Sequence, residues 1–193
     1  MRFDLAYYRR FYLDPSTRVD DAAHHGKLVE GVVAMVEYFG QPVRSVLDVG
    51  AGVGRWGRWI RKHRRGVEVV STEVEADVCA KYGHVQADLA RWRLKRRFDL
   101  VVCQGVLPYL DDDACAKAIE NLAAMCGGFL YLEAITRRDA EQVVDRELTD
   151  LRVHPRTGAW YLRRLQPHFQ SVGCGLYYQR RGPLQFYELE AGR

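Results

Sequence analysis

The residues Gly52-Val53-Gly54-Arg55-Trp56-Gly57 have the spacing Gly-x-Gly-x-x-Gly, and an acid, Glu73, follows nineteen residues after Gly54. Glycines so placed let the backbone turn sharply and approach a ligand, while an acid ending the next strand accepts hydrogen bonds from ribose hydroxyls. Any adenosine-containing cofactor has these needs. Asp48 narrows the choice, because it stands two residues before Gly50, at the mouth where a dinucleotide would place its doubly negative pyrophosphate. A carboxylate there repels phosphate and suits a cofactor with a positive group instead. A dinucleotide oxidoreductase is disfavoured on this ground. The purely structural alternative is that Asp48 and Glu73 cap turns at strand ends.

The elements around this loop follow from hydrophobic periodicity. Ser45–Val49 is a short β-rich run entering the glycines, and Trp56, Trp59, Ile60 and His63 then share one helical face. Val67–Thr72 gives a second strand, Ala76–Tyr82 a short helix, His84–Ala87 a third strand, and Phe98–Cys103 a fourth, apolar enough to be buried on both faces. A helix from about Asp112 to Met125, closed by Gly127-Gly128, leads to a fifth strand, Phe129–Ala134. Ahead of the loop, residues 26–39 carry Leu28, Val32, Met35, Val36 and Phe39 at helical spacing until Gln41-Pro42. Behind it, a polar stretch over 135–156 precedes a helix near Gly158–Leu165. Phe169–Gln179 and Leu184–Glu190 are then expected to pair as an antiparallel hairpin through Arg180-Arg181-Gly182-Pro183. Alternating strands and helices imply a doubly wound α/β fold with helices on both faces of a mostly parallel sheet. One domain is expected over 1–193, with 1–42 an N-terminal helical lid segment and 43–193 a Rossmann-like core.

Val46-Leu47-Asp48-Val49-Gly50-Ala51-Gly52-Val53-Gly54 resembles the first motif of class I S-adenosylmethionine-dependent methyltransferases, acidic-x-Gly-x-Gly-x-Gly. Gln86-Ala87-Asp88-Leu89 is similar to that family's third-strand segment, and Phe98 to Leu110 to its fourth-strand motif and following loop. The resemblance implies a seven-stranded sheet of order 3-2-1-4-5-7-6 with an antiparallel edge strand. It also implies S-adenosylmethionine as cofactor, whose ammonium and sulfonium would suit Asp48. Carried over by residue, Gly50, Gly52 and Gly54 would line the methionine end, and Glu73 would hold the ribose. Asp88 with the Leu89 amide would hold adenine, and Gln104 would border the methyl group. For Asp88 the plainer reading is a cap on the turn after strand three.

Methyl transfer from a sulfonium is an in-line displacement, so the protein must mainly align the partners and exclude water. A base matters when the acceptor has to lose a proton. Candidates are Glu133 at the end of strand five, His154 in the polar connection and Tyr109 after strand four. The aromatic segment Tyr7-Tyr8-Arg9-Arg10-Phe11-Tyr12 is expected to fold over the cofactor as a lid. Tyr8, Tyr12, Trp160 and Tyr161 are expected to wall the acceptor pocket. His24-His25 reads as a helix start, since adjacent helical residues point in different directions.

Composition sets the remaining bounds. The 193 residues are 48% hydrophobic, enough for one core, and 29 Lys and Arg against 25 Asp and Glu leave a net charge of +4. That is modest for a nucleic-acid binder, although arginines cluster at 61–65, 91–97, 163–164 and 180–181. Five cysteines, odd in number and without a Cys-x-x-Cys pair, give no disulfide framework and no metal site is expected. No apolar run is long enough for a membrane span and the N-terminus does not resemble a signal peptide, so a cytoplasmic protein is expected. Gln104-Gly105-Val106-Leu107 stands where amino-on-base methyltransferases carry Asn/Asp-Pro-Pro-Tyr/Phe. A small-molecule acceptor is therefore favoured, with oxygen, nitrogen and carbon all open as the acceptor atom. The alternatives are an RNA- or protein-directed methyltransferase and a non-catalytic cofactor-binding module.

Overall fold

A computed structural model describes residues 3–18 and 20–191. The chain begins with α1 (Leu5–Tyr8), capped by Asp4 and widening into a π-helical turn at Arg9–Leu13, then α2 (Ala22–Tyr38). There follow β1 (Ser45–Val49), α3 (Arg55–His63), β2 (Glu68–Glu73), α4 (Ala76–Tyr82), β3 (Val85–Gln86) and β4 (Phe98–Gln104). The second half contains α5 (Asp112–Met125), β5 (Cys126–Glu133), α6 (Arg137–Gln142), α7 (Gly158–Leu165), β6 (Phe169–Gly173) and β7 (Leu176–Gln179). The strands form one sheet ordered β3-β2-β1-β4-β5-β7-β6. Pairing is parallel as far as β5, and β7 then runs antiparallel to both β5 and β6.

The pleat distributes side chains to two cores. Leu100, Val102, Phe129 and Tyr131 join Val29, Val33, Val36, Trp56 and Ile60 under α2 and α3. Val101, Cys103, Leu130 and Leu132 face the other way, toward Ile119, Leu122 and Met125 of α5 and Leu165 of α7. Burial of both faces explains why β4 and β5 read as continuous apolar runs instead of alternating ones. Four cysteines (Cys79, Cys103, Cys115 and Cys126) are buried free thiols.

Four elements depart from the sequence reading. Strand β5 starts at Cys126, so Gly127 and Gly128 lie inside it and do not close α5; a Cβ on Gly128 would lie 2.5 Å from the Asp99 carbonyl oxygen. Helix α2 starts at Ala22, before the apolar periodicity begins, because Asp21 Oδ1 accepts hydrogen bonds from the Ala23 and His24 N–H groups, both at 2.8 Å. The polar stretch contains α6, held by a capping box between Thr136 and Asp139. The hairpin lies earlier than expected: β6 pairs with β7 across Cys174 (φ 49°) and Gly175 (φ 75°), and Leu184–Glu190 forms no strand. Two successive residues at positive φ make the turn whose twist matches a hairpin, a demand that Gly175 meets readily. Leu184 and Phe186 pack instead on the core beneath α2.

The segment joining β5 to α7 is fastened by Arg156. Its Nε donates to Asp112 Oδ1 at 2.7 Å, and its Nη1 and Nη2 donate to the carbonyls of Leu107 and Leu110. The Trp160 ring covers the guanidinium at 4.6 Å. Replacing this buried group (4% exposed) by methionine leaves two carbonyls without their donor. Arg156→Met is expected to cost about 3 kcal/mol in urea denaturation; a loss below about 1 kcal/mol would show that the clamp carries little.

Candidate functional site

Strand register assembles the site. Val49, last in β1, pairs with Thr72 of β2 and Cys103 of β4, so the next residues of those strands, Glu73 and Gln104, reach the same edge. Gln104 pairs in turn with Glu133, last in β5. The chain leaves β1 through Gly50 and Gly52 at φ 64° and 53°. Both are also closely approached. A Cβ on Gly50 would run into Val106, and one on Gly52 would lie 2.6 Å from the Tyr8 ring. Gly54 caps the start of α3.

Two adjoining cavities open at this edge. One, of about 240 Å³, is bounded by Glu73, Asp88, Leu89 and Val106. The other, of about 270 Å³, includes Asp48, Gly52, Trp56, His25 and Glu133. Gly50, Gln104, Tyr8 and Tyr109 border both. The first is a cleft between β2 and the turn after β3, the second a chamber closed by the N-terminal segment.

Glu73 is buried and already occupied. Its Oε2 accepts from the Gly52 N–H at 3.0 Å and the Tyr8 hydroxyl at 2.9 Å, and its Oε1 accepts from the Val74 N–H at 2.7 Å. Asp48 is 2% exposed, and its Oδ2 has no partner among the described residues. Burial, followed by the nearby charge of Glu73, pushes its carboxyl up to about 7 against the opposing pull of Arg61 and the Gly57 N–H. A buried carboxylate oxygen without a partner is rare and costly, and it marks where a positive ligand group would be stabilised. Asp88 Oδ1 accepts from the Ala90 N–H at 2.9 Å, so this acid caps its turn and also lines the cleft. The buried Leu89 beside it accepts from Asn121 Nδ2 through its carbonyl.

Gln104 links the floor of the chamber. Its Oε1 accepts from Trp56 Nε1 at 2.8 Å and lies 3.2 Å from His25 Nε2, and its Nε2 donates to Glu133 Oε2 at 3.2 Å. An amide oxygen has no proton to give, so His25 Nε2 must be the donor. Burial holds the His25 imidazole below its ordinary value, against the effect of the Gln104 bond. His25 was absent from the sequence candidates, although it continues the buried face of α2 at Val29, Val32 and Val36. Trp56 was also missed; it occupies a variable position of the glycine motif and carries no spacing signal.

The N-terminal segment brings Tyr8 and Tyr12 to both cavities, together with Tyr7, whose hydroxyl lies 2.9 Å from that of Tyr109. Burial raises the Tyr7, Tyr8, Tyr12 and Tyr109 hydroxyls above the ordinary phenol range, so they remain protonated. Three expected residues are not brought to either cavity. His154 is exposed, with its N–H donating to the Pro108 carbonyl. Trp160 packs on Arg156 and Arg164, and Tyr161 is buried in the core beside Leu165. No group of three or more His, Cys, Asp or Glu among the described residues could hold a metal ion.

Comparison with known proteins gives the family. Residues 22–174 match the model of a methyltransferase domain. No curated protein sequence matches the chain. Among solved structures, a sugar N-methyltransferase from a Streptoalloteichus species is 24% identical with a TM-score of 0.57, the alignment covering 75% of this chain and 57% of that one. The chain thus spans little more than half the length of that enzyme. Magnesium protoporphyrin IX methyltransferase of Synechocystis, solved with bound S-adenosylmethionine, is 19% identical with a TM-score of 0.59, covering 90% of this chain and 87% of that one. A protein from Pyrococcus horikoshii is 15% identical with a TM-score of 0.64, covering 91% and 97% respectively. These likenesses establish a shared fold, the seven-stranded sheet with helices on both sides. With a family model matched over most of its length, the chain belongs to the methyltransferase domain family, whose methyl donor is S-adenosylmethionine.

Proposed function

We propose that the protein transfers a methyl group from S-adenosylmethionine to a small-molecule acceptor held in the chamber beneath the N-terminal segment. The observation that carries this reading is the pair of cavities meeting at Gly50 and Gln104, one lined by Glu73, Asp88 and Leu89 for a nucleoside, the other running from Asp48 and Gly52 to Glu133, for the donor's amino-acid end and the acceptor. Glu73 would hold the ribose, Asp88 and the Leu89 amide the adenine, and Asp48 beside the glycine turn the cationic amino-acid end. The cofactor supplies a methyl group activated on a sulfonium. Gln104 and Tyr109 border both cavities and would keep acceptor and donor in line. Tyr8 sits where ribose hydroxyls would reach Glu73, so the N-terminal segment must move before the donor is seated.

The surface supports a small acceptor over a nucleic acid. The basic clusters at 61–65, 163–164 and 180–181, and the Lys95-Arg96-Arg97 end of the fourth, adjoin the amino ends of β2, β6 and β4 or the antiparallel end of β7. That is the sheet edge opposite the cavities, where they cannot guide a polyanion to the transfer point. The named small-molecule methyltransferases with this fold support the same reading. The decisive experiment is a thermal shift with S-adenosylhomocysteine and with NADH. Stabilisation by the first alone is expected, and stabilisation by NADH alone would remove the assignment.

A further inference from the structure

We propose that the acceptor is a protonated amine whose nitrogen is seated on Glu133, an inference that rests on the methyl-transfer reading above. Glu133 Oε2 accepts two hydrogen bonds, from Gln104 Nε2 and the Tyr131 hydroxyl, each at 3.2 Å. Both donors are neutral. No Lys, Arg or His among the described residues pairs with this carboxylate, and its Oε1 is not engaged among them.

The chamber is lined by four acids, Asp20, Asp48, Glu133 and Asp150, against one permanent cation, Arg55. Arg55 Nη2 donates to the carbonyls of Tyr12 and Asp20, and the guanidinium lies over the Tyr12 ring. Asp150 is held by Arg152 through two hydrogen bonds between the side chains. Asp48 lines the chamber at the glycine turn, where the donor's amino-acid end would lie. Of the remaining acids Glu133 is the one bonded to Gln104, which borders both cavities, so it is the anion beside the transfer point, and a lining with more acids than cations favours a cationic ligand. The walls agree with this. Tyr7, Phe11, Tyr12, Trp56 and Tyr109 line the same chamber, and aromatic faces attract an ammonium.

The Gln104 amide fixes the arrangement. With its oxygen taken by Trp56 and His25, its nitrogen must face Glu133, which turns the carboxylate's second oxygen free for the ligand. A carboxylate serves an amine twice, first pairing with the ammonium and then taking its proton. The step balances: Glu133 takes one N–H proton and the freed nitrogen lone pair forms the new N–C bond. The S–CH3 bond breaks with its electron pair remaining on sulfur. The products are a methylated ammonium, neutral S-adenosylhomocysteine and a proton passed from Glu133 to water.

The test uses the full chain, S-adenosylmethionine with a deuterated methyl, and a metabolite extract split on a cation-exchange resin at neutral pH. Label is expected on nitrogen, in compounds from the retained pool. Glu133→Gln is expected to lower its incorporation about a hundredfold while S-adenosylhomocysteine affinity stays within about twofold, which also shows that the variant folds. In calorimetry without donor, the amine so identified should bind the Gln variant about tenfold more weakly. Label on oxygen or carbon, label only from the unretained pool, no label despite S-adenosylhomocysteine binding, or a Gln variant equal to the parent would each overturn the proposal. Failure of the parent protein to bind S-adenosylhomocysteine would instead remove the methyl-transfer reading itself.

Discussion

Replacing Asp48 by asparagine should raise the denaturation midpoint of the free protein at about pH 8 and weaken S-adenosylhomocysteine binding about a hundredfold, or roughly 3 kcal/mol. Both effects have one source. Burial and the Glu73 charge place the Asp48 carboxyl at about 7, against an ordinary 3.8. Across the window between these values the folded chain keeps a proton that the unfolded chain has released. Stability therefore falls as pH rises through it. Above it the full cost of the buried anion is carried, on the order of 4 kcal/mol. Asparagine carries no such cost, and offers no charge to the ligand's ammonium. Titration calorimetry over a pH series provides the measurement. Affinity of the parent protein should drop about tenfold for each pH unit below about 7 and level off above it, while the asparagine variant gives a flat profile. A parent profile without slope would separate Asp48 from the cofactor.

The second large effect is a pair of opposite responses to losing one hydrogen bond. Tyr8→Phe and Glu73→Ala both abolish the 2.9 Å bond between Tyr8 and Glu73. Removing the hydroxyl frees Glu73 for the ribose, so S-adenosylhomocysteine should bind Tyr8→Phe about fivefold more tightly, with a faster association rate. Removing the carboxylate leaves the Gly52 N–H and Tyr8 hydroxyl without their acceptor and takes away the ribose contact. Affinity should fall by about 2 kcal/mol, roughly thirtyfold, and stability by a similar amount. Stopped-flow fluorescence, with Trp56 at the chamber floor as reporter, distinguishes the cases. Variants that move in the same direction would mean that Tyr8 and the ribose do not compete.

The sheet was legible because its signals are local. Runs such as Phe98–Cys103 and Phe129–Ala134 are apolar on both faces, although the glycines read as ending the helix before the second of them lie inside the strand. The hairpin was misplaced because its turn, Gly173-Cys174-Gly175, is embedded in a run that otherwise reads as one long strand; only the backbone shows three successive positive φ values there. Glycine spacing and the acids Asp48 and Glu73 pointed to the site, since an adenosine ligand makes similar demands of any chain that binds it. The Glu73 partner Tyr8 stands 65 residues away, and no pattern links residues so far apart. His25 was passed over because a histidine pair at a helix start looks solvated, whereas Val29 and Val36 place His25 on the buried face. Trp160 and Tyr161 looked suited to a pocket, but Arg156 draws the Trp160 ring over itself and Tyr161 enters the core.

At the end of the strands away from the cavities, Arg64 pairs with Glu37 at 3.3 Å and Arg96 with Glu68 at 2.6 Å, and Asp99 accepts from the Arg44 N–H. Acids interleaved with arginines in this way break up what would otherwise be a field of one sign, and salt screens the remainder. A polyanion meeting that end would find its attraction to the arginines offset by the acids beside them.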